Sequence, residues 1–199
     1  MKIGIYAGTF DPIHNGHIEF ATTAIAQACL DRIIVVAEKD PYRKEPHASW
    51  DHRQAMIERA TQSIEHVDHD YRFANELAHQ HNMQDMLANA RKHYGEAEEI
   101  WFLVGSDVFE HMGEWENISK NFSYGGFVVA FKEDHTNEWL NEKLYQLRNK
   151  GINIHVEVVH HKKSMVNSSD IRNSVGSQRE LKDIDKTVAA YIQKHQLYR

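Results

Sequence analysis

Two histidines three residues apart, His14 and His17, lie in the run Gly8-Thr9-Phe10-Asp11-Pro12-Ile13-His14-Asn15-Gly16-His17. Imidazoles at i and i+3 face one side of a helix that starts within the run. The unpaired N–H groups and positive dipole end of that helix draw an anion to the same place. Gly8 and Gly16 remove the Cβ atoms that would hold a ligand away from the backbone. The run therefore reads as a phosphate site. Its flanks supply the necessary geometry. Residues 2–7 are short and mostly apolar, as a strand would be, while residues 18–29 carry helix formers with apolar residues three and four apart.

Two more segments fit the same chemistry. Gly105-Ser106-Asp107 follows the apolar residues 100–104, so its carboxylate falls at the end of a strand. There it can accept ribose hydroxyls, orient a metal-bound phosphate, or cap the next short helix. In Val166-Asn167-Ser168-Ser169-Asp170-Ile171-Arg172, serine hydroxyls and N–H groups at a helix start can take phosphate, and Arg172 adds a fork of donors.

The first run resembles the G-T-F-D-P-x-H-x-G-H signature of the nucleotidyltransferase superfamily that includes nicotinate-mononucleotide and phosphopantetheine adenylyltransferases. Gly105-Ser106-Asp107 resembles the G-x-D segment of that superfamily, and residues 166–172 resemble its I-S-S-T-x-I-R element. Trp115 resembles the tryptophan that stacks near the pyridine ring in the nicotinate-mononucleotide enzymes. Residues 188–199 resemble their closing helix and Leu-Tyr ending, so the likeness spans the chain.

The resemblance implies adenylyl transfer from ATP to nicotinate or nicotinamide mononucleotide in NAD biosynthesis, with release of pyrophosphate. It assigns His14, His17 and Arg172 to catalysis. It assigns Gly8, Thr9, Phe10, Gly16, Lys44, Gly105, Asp107, Ser168 and Ser169 to ATP and its phosphates, and Trp115 and Met83 to the acceptor. Mg²⁺ would be held mainly by phosphates and water, with no protein-ligated metal. Lys44 lies in the proline-bounded loop of residues 40–46 and would close over pyrophosphate.

The acceptor stays open at one segment. Where the bacterial nicotinate enzymes carry S-Y-T-x-D-T-L, this chain reads His81-Asn82-Met83-Gln84-Asp85-Met86-Leu87. Met83 replaces the threonine that helps to read the pyridine substituent, which leaves acid and amide undetermined. The strand ending at Lys132 also lacks their R-x-G continuation. Phosphopantetheine adenylyltransferase is the alternative, although its motif has threonine where this chain has His14. A catalytically weak nucleotide-binding regulatory protein is a third reading. A dehydrogenase is disfavoured, since G-x-G-x-x-G is absent.

Positioning these segments requires an alternation of strands and helices. Residues 32–38, 100–104, 127–131 and 154–159 are apolar or β-branched runs. Between them fall helical patterns at residues 49–64, 83–94 and 138–149, with Ser49 as an N-cap and Met56, Ile57, Ala60 and Ile64 as a buried stripe. Residues 71–73 read as a further short strand. The expected class is α/β, a Rossmann-like doubly wound parallel sheet with helices on both faces. Residues 1–199 form one nucleotidyltransferase domain in this reading, with residues 160–199 as a C-terminal helical part.

A net charge of −6 argues against a nucleic-acid partner. No apolar run approaches a bilayer span; the partners that the resemblance implies are ATP and a mononucleotide, with homo-oligomerisation open. The lone Cys29 fits a reducing cytoplasm and is expected in the core rather than as a nucleophile. Of fifteen histidines, the groups at 66 and 69, 79 and 81, and 160 and 161 share no ligand spacing and read mostly as solvated surface.

Overall fold

The computed structural model describes residues 1–41, 45–77, 83–96, 98–114, 125–131, 135–162, 165–177, 179 and 181–199. In chain order the elements are β1 (Lys2–Gly8), α1 (Asn15–Gln27), β2 (Arg32–Ala37), α2 (Trp50–Thr61), β3 (Val67–Asp68), α3 (Tyr71–Leu77) and α4 (Met83–Tyr94). They continue with β4 (Glu99–Gly105), α5 (Ser106–Glu110), β5 (Gly125–Ala130), α6 (Asn137–Asn149), β6 (Val156–Val159), α7 (Ser168–Gly176) and α8 (Lys186–Lys194).

The strands pair in parallel in the order β3-β2-β1-β4-β5-β6. A two-residue period sends Ile33, Val35, Leu103 and Val128 to one core and Ile34, Val36, Phe102 and Val129 to the other. Both faces are therefore covered, which is why these strands read as unbroken apolar runs. Phe20, Met56, Ile171 and Val188 bring α1, α2, α7 and α8 to the first face. Phe73, Ala90, Phe109 and Leu140 bring α3 to α6 to the second. This is the doubly wound α/β architecture. Chain order reverses between β1 and β4, and a ligand crevice opens beyond the carboxyl ends of strands at such a point. Among the described residues no helix is long and apolar enough to cross a membrane.

Three expectations change. Residues 71–73 are helical, because Asp70 caps α3: its carboxylate accepts the Phe73 N–H at 2.9 Å and its carbonyl the Ala74 N–H at 2.9 Å. Cys29 is exposed, at a φ of 51°, just past the end of α1, where the left-handed turn points it outward. The third change concerns the edge of the sheet. Because β3 has only two residues, side chains satisfy the end of β2: His69 Nδ1 meets the Val35 carbonyl at 3.0 Å and Trp50 Nε1 donates to the Ala37 carbonyl at 2.8 Å. Gln54 Oε1 accepts the Ala37 N–H at 3.1 Å. His69 is thus half-buried edge material rather than solvated surface.

Candidate active site

His14 is the N-cap of α1, and it exchanges bonds with His17. The His17 N–H donates to His14 Nδ1 at 3.4 Å, and the His14 N–H donates to His17 Nδ1 at 3.2 Å. The two rings stack with centroids 3.6 Å apart and planes 21° from parallel. Both Nδ1 atoms act as acceptors, so the neutral rings carry their protons on Nε2. His14 is 5% exposed, and burial pushes its imidazole down to about 4, against the pull of Asp183 and with a smaller push from His161. It therefore serves as a neutral N–H donor at physiological pH.

The His17 ring meets Tyr6 and Phe10 edge-on, at 6.0 and 4.9 Å between centroids. Phe10 holds a φ of 46°, and its ring folds back so that a Cβ on Gly8 would stand 3.2 Å from it. A side chain at that position would press on the Phe10 ring.

Two charged residues fasten this loop. Asp11 is 3% exposed and accepts the His47 N–H at 2.7 Å, the Ala48 N–H at 3.1 Å and the Tyr198 hydroxyl at 2.7 Å. Burial, followed by the bond to Asp11, pushes the Tyr198 phenol far above its usual range, so it remains a donor. Arg53 is 1% exposed and donates to the carbonyls of Thr9, Glu38, Ala48 and Lys39 at 2.8, 2.7, 3.2 and 3.3 Å. Burial lowers its guanidinium's affinity for the proton while Asp11 opposes the change. Sequence reasoning missed this residue. The signal was its position three before Met56, on the buried stripe of α2.

From the other side, α7 docks on the same loop. Asn167 caps it by accepting the Asp170 N–H at 2.9 Å. The Ser168 hydroxyl donates to the Pro12 carbonyl at 2.9 Å. Arg172 reaches the Asp11 carbonyl at 2.6 Å and the Ser169 hydroxyl at 3.1 Å. The sequence segments around His14 and Arg172 are thereby one unit, with Gly16 buried in the first turn of α1.

Gly105 closes β4 and caps α5 through its backbone alone. The Asp107 carboxylate occupies the space a Gly105 Cβ would need. Burial and, after it, the Asp107 charge push the Tyr6 phenol above its usual range, which puts Asp107 within electrostatic reach of the residue that touches His17. The segment ends β4 and opens α5, with Gly105 rather than Asp107 at the N-cap position.

Lys44 and Trp115 lie outside the described residues, as do His79 and His81. Met83 opens α4, but its side chain is likewise outside them. His161 departs from the surface expectation: its side chain is 7% exposed, 3.4 Å from a Glu19 carboxylate oxygen and stacked on Phe20 at 5.6 Å. Among the described residues no three His, Cys, Asp or Glu side chains converge as a metal site. The arrangement offers positioned N–H and guanidinium donors to an oxyanion.

Comparison with known proteins fits this geometry. Residues 5–174 match the cytidylyltransferase-like family. A protein of Chromobacterium violaceum named "Probable nicotinate-nucleotide adenylyltransferase" is 24% identical over 210 residues, covering 100% of this chain and 99% of that protein. One of the same name from Neisseria meningitidis is 28% identical over 204 residues, covering 99% of this chain and 98% of its own. The solved structure of Plasmodium falciparum nicotinic acid mononucleotide adenylyltransferase complexed with NaAD shares the fold. Its TM-score is 0.75 at 19% identity, over 99% of this chain and 97% of that one. The match takes in the end of β1, the paired histidines and the start of α7 within one continuous stretch, and the chain belongs to the cytidylyltransferase-like family.

Proposed function

We propose that this protein is an adenylyltransferase that joins the AMP moiety of ATP to nicotinate mononucleotide, or its amide counterpart, and releases pyrophosphate in NAD biosynthesis. The observation that carries the reading is the reciprocal His14–His17 cap, which aims two Nε2–H donors from the start of α1, beside Arg172 and the first turn of α7. The names of the relatives support the same reaction.

An oxygen of the acceptor's phosphate attacks the α-phosphorus, and the bond to the bridging oxygen of the β-phosphate breaks with its electron pair. The attacking oxygen is already anionic, so no general base is required. His14 and His17 donate to the phosphoryl oxygens, and their bonds strengthen as charge accumulates in the transition state. Arg172, Ser168 and Ser169 grip the triphosphate. Gly8, Thr9, Phe10 and Gly16 bring backbone close to it, and Asp107 receives the ribose beside Gly105. Lys44 closes over the β- and γ-phosphates, while Trp115 and the Met83 region contact the acceptor's ring.

A Mg²⁺ ion would be carried in with the nucleotide, held by phosphate oxygens and water. When bound, it neutralises phosphate charge.

Purified protein with ATP and Mg²⁺ is expected to release pyrophosphate with nicotinate mononucleotide or nicotinamide mononucleotide. A response to phosphopantetheine alone would move the assignment to that acceptor. ATP binding with no release on any of the three would identify a nucleotide-binding protein instead.

A further inference from the structure

The two nucleotides of the proposed reaction are expected at the carboxyl edge of the sheet from opposite faces. The phosphate donors His14, His17 and Arg172 belong to α1 and α7, on the first face. Met83 opens α4, which packs on the second face, and Trp115 follows α5, which packs there too. An acceptor's ring therefore belongs on the second face, at the edge where β4 ends.

A further polar side chain is fixed at that edge. β4 and β5 are parallel neighbours with Gly105 opposite Ala130, so Ser106 at the start of α5 and His135 just before α6 stand beyond adjacent strand ends. The Ser106 hydroxyl and His135 Nδ1 are 2.9 Å apart. The imidazole also lies against Trp139, with centroids 4.1 Å apart and planes at 59°. Trp139 in turn meets Phe109 and Phe131 edge-on. Ser106 is fully buried, so its hydroxyl anchors the ring and is closed to a substrate. The ring itself is half-buried, and its Nε2 makes no hydrogen bond among the described residues. The start of α6 is already met from within: Thr136 accepts the Trp139 N–H at 3.3 Å. The Glu138 backbone N–H and, after it, the Thr136 hydroxyl hold the Glu138 carboxyl below its usual range. What this edge offers a ligand is the imidazole.

We propose that His135, held by Ser106 and Trp139, is a specificity-determining residue for the acceptor: its Nε2–H donates to the carboxylate on the acceptor's pyridine ring and so favours the acid over the amide. The inference rests on the adenylyl-transfer reading above. In a neutral imidazole one nitrogen donates and the other accepts. With the Ser106 hydroxyl donating to Nδ1, the ring's proton sits on Nε2, and a second proton on the ring leaves that donor in place. A hydrogen bond to a charged carboxylate is stronger than one to the carbonyl of an amide, which turns a single donor into a preference. His135 lies outside all the phosphate-binding segments, between β5 and α6, and acts on the acceptor alone.

Two amide variants separate the contact from the anchor. His135→Asn keeps a polar group near the place of Nδ1, in reach of Ser106, and removes the one at Nε2, whereas His135→Gln does the reverse. The test is the steady-state rate of pyrophosphate release with nicotinate mononucleotide and with nicotinamide mononucleotide, for the native chain and both variants, with calorimetric titration of each mononucleotide alongside. His135→Asn is expected to raise the KM for the acid about tenfold, as for one hydrogen bond to a charged group, to change that for the amide far less, and to leave the KM for ATP where it was. His135→Gln should recover part of the loss. A ring that merely ties two strand ends together would move acid and amide alike and would suffer more from Gln than from Asn. Either of those results, or a native preference for the amide, overturns the assignment. The two readings fail separately. Adenylyl transfer with an unaltered acid-to-amide ratio in His135→Asn removes only this contact. Acid binding that weakens in His135→Asn, without transfer by the native protein, removes only the reaction.

Discussion

The loop carrying His14 and His17 is fastened by donors from α2, α7 and the C-terminal turn, aimed largely at backbone carbonyls and at one buried carboxylate. The outer flank, from β3 through α4, is closed by side chains reaching for one another. Arg53 and Arg172 bind the loop wherever the chain offers a carbonyl. On the flank, His93 stands between the Asp70 and Glu76 carboxylates at 3.1 and 3.0 Å, and the Tyr94 hydroxyl donates to Asp70 at 3.2 Å. Burial works against the Asp70 charge, yet these bonds and the Phe73 N–H hold its carboxyl below the usual range. A loop set by backbone geometry can meet a phosphate, which every nucleotide shares. On the proposed adenylyl-transfer reading, a flank set by particular side chains is where one acceptor would be told from another.

The largest effect should come from removing an anchor of the loop. Arg53→Met leaves four carbonyls, one buried and three part-buried, short of a donor and is expected to cost on the order of 3 kcal/mol. Urea unfolding would register this as a lower midpoint with an unchanged slope. Unaltered stability would mean that the loop is not held from α2.

His14 gives the comparison a pH signature. The unfolded imidazole takes a proton near 6.5 but the folded one only at about 4. The unfolded state therefore binds more protons between those values, and stability falls as pH drops through that window. The loss is about 3 kcal/mol when complete. Denaturation midpoints measured from pH 7 to pH 4 should slope less steeply in His14→Asn, which keeps a capping oxygen.

His17→Ala separates chemistry from stability. It should reduce kcat by about 100-fold or more, roughly 3 kcal/mol at the transition state, while loss of half of the reciprocal cap costs only about 1 kcal/mol of stability. Undiminished turnover would sink the assigned role. The flank supplies the smallest effect: His93→Gln should cost about 1–2 kcal/mol in stability and raise the acceptor's KM several-fold while leaving that of ATP alone. Equal shifts in both constants would erase the distinction between loop and flank.

That the segments around His14 and Arg172 come together was legible in sequence because each carries its donors at nearly contiguous positions where a helix starts. The alternation of β-branched runs with amphipathic stretches was equally legible, since burial on both faces leaves a strand no polar side. Arg53 and Asp11 escaped as anchors because what they bind is backbone distant in sequence, which no local pattern encodes. Residues 71–73 misled because the aromatic pair around Arg72 has β character, and only the cap from Asp70 turns them into helix. Cys29 misled because it ends a helix in the conformation usually left to glycine. His161 looked like half of an exposed pair, yet the end of β6 lays it against α1.

Adjacent imidazoles are ordinarily a trap for zinc, nickel and copper, which favour nitrogen ligands over the oxygen donors that suit magnesium. In the His14–His17 pair both Nδ1 lone pairs face peptide N–H groups. A metal approaching Nε2 would force each proton across to Nδ1, and that would dissolve the cap at the start of α1. On the adenylyl-transfer reading, a site that takes magnesium-bound phosphates would in this way be protected from poisoning by scarcer, stickier ions, through nothing more than the direction in which two rings are turned.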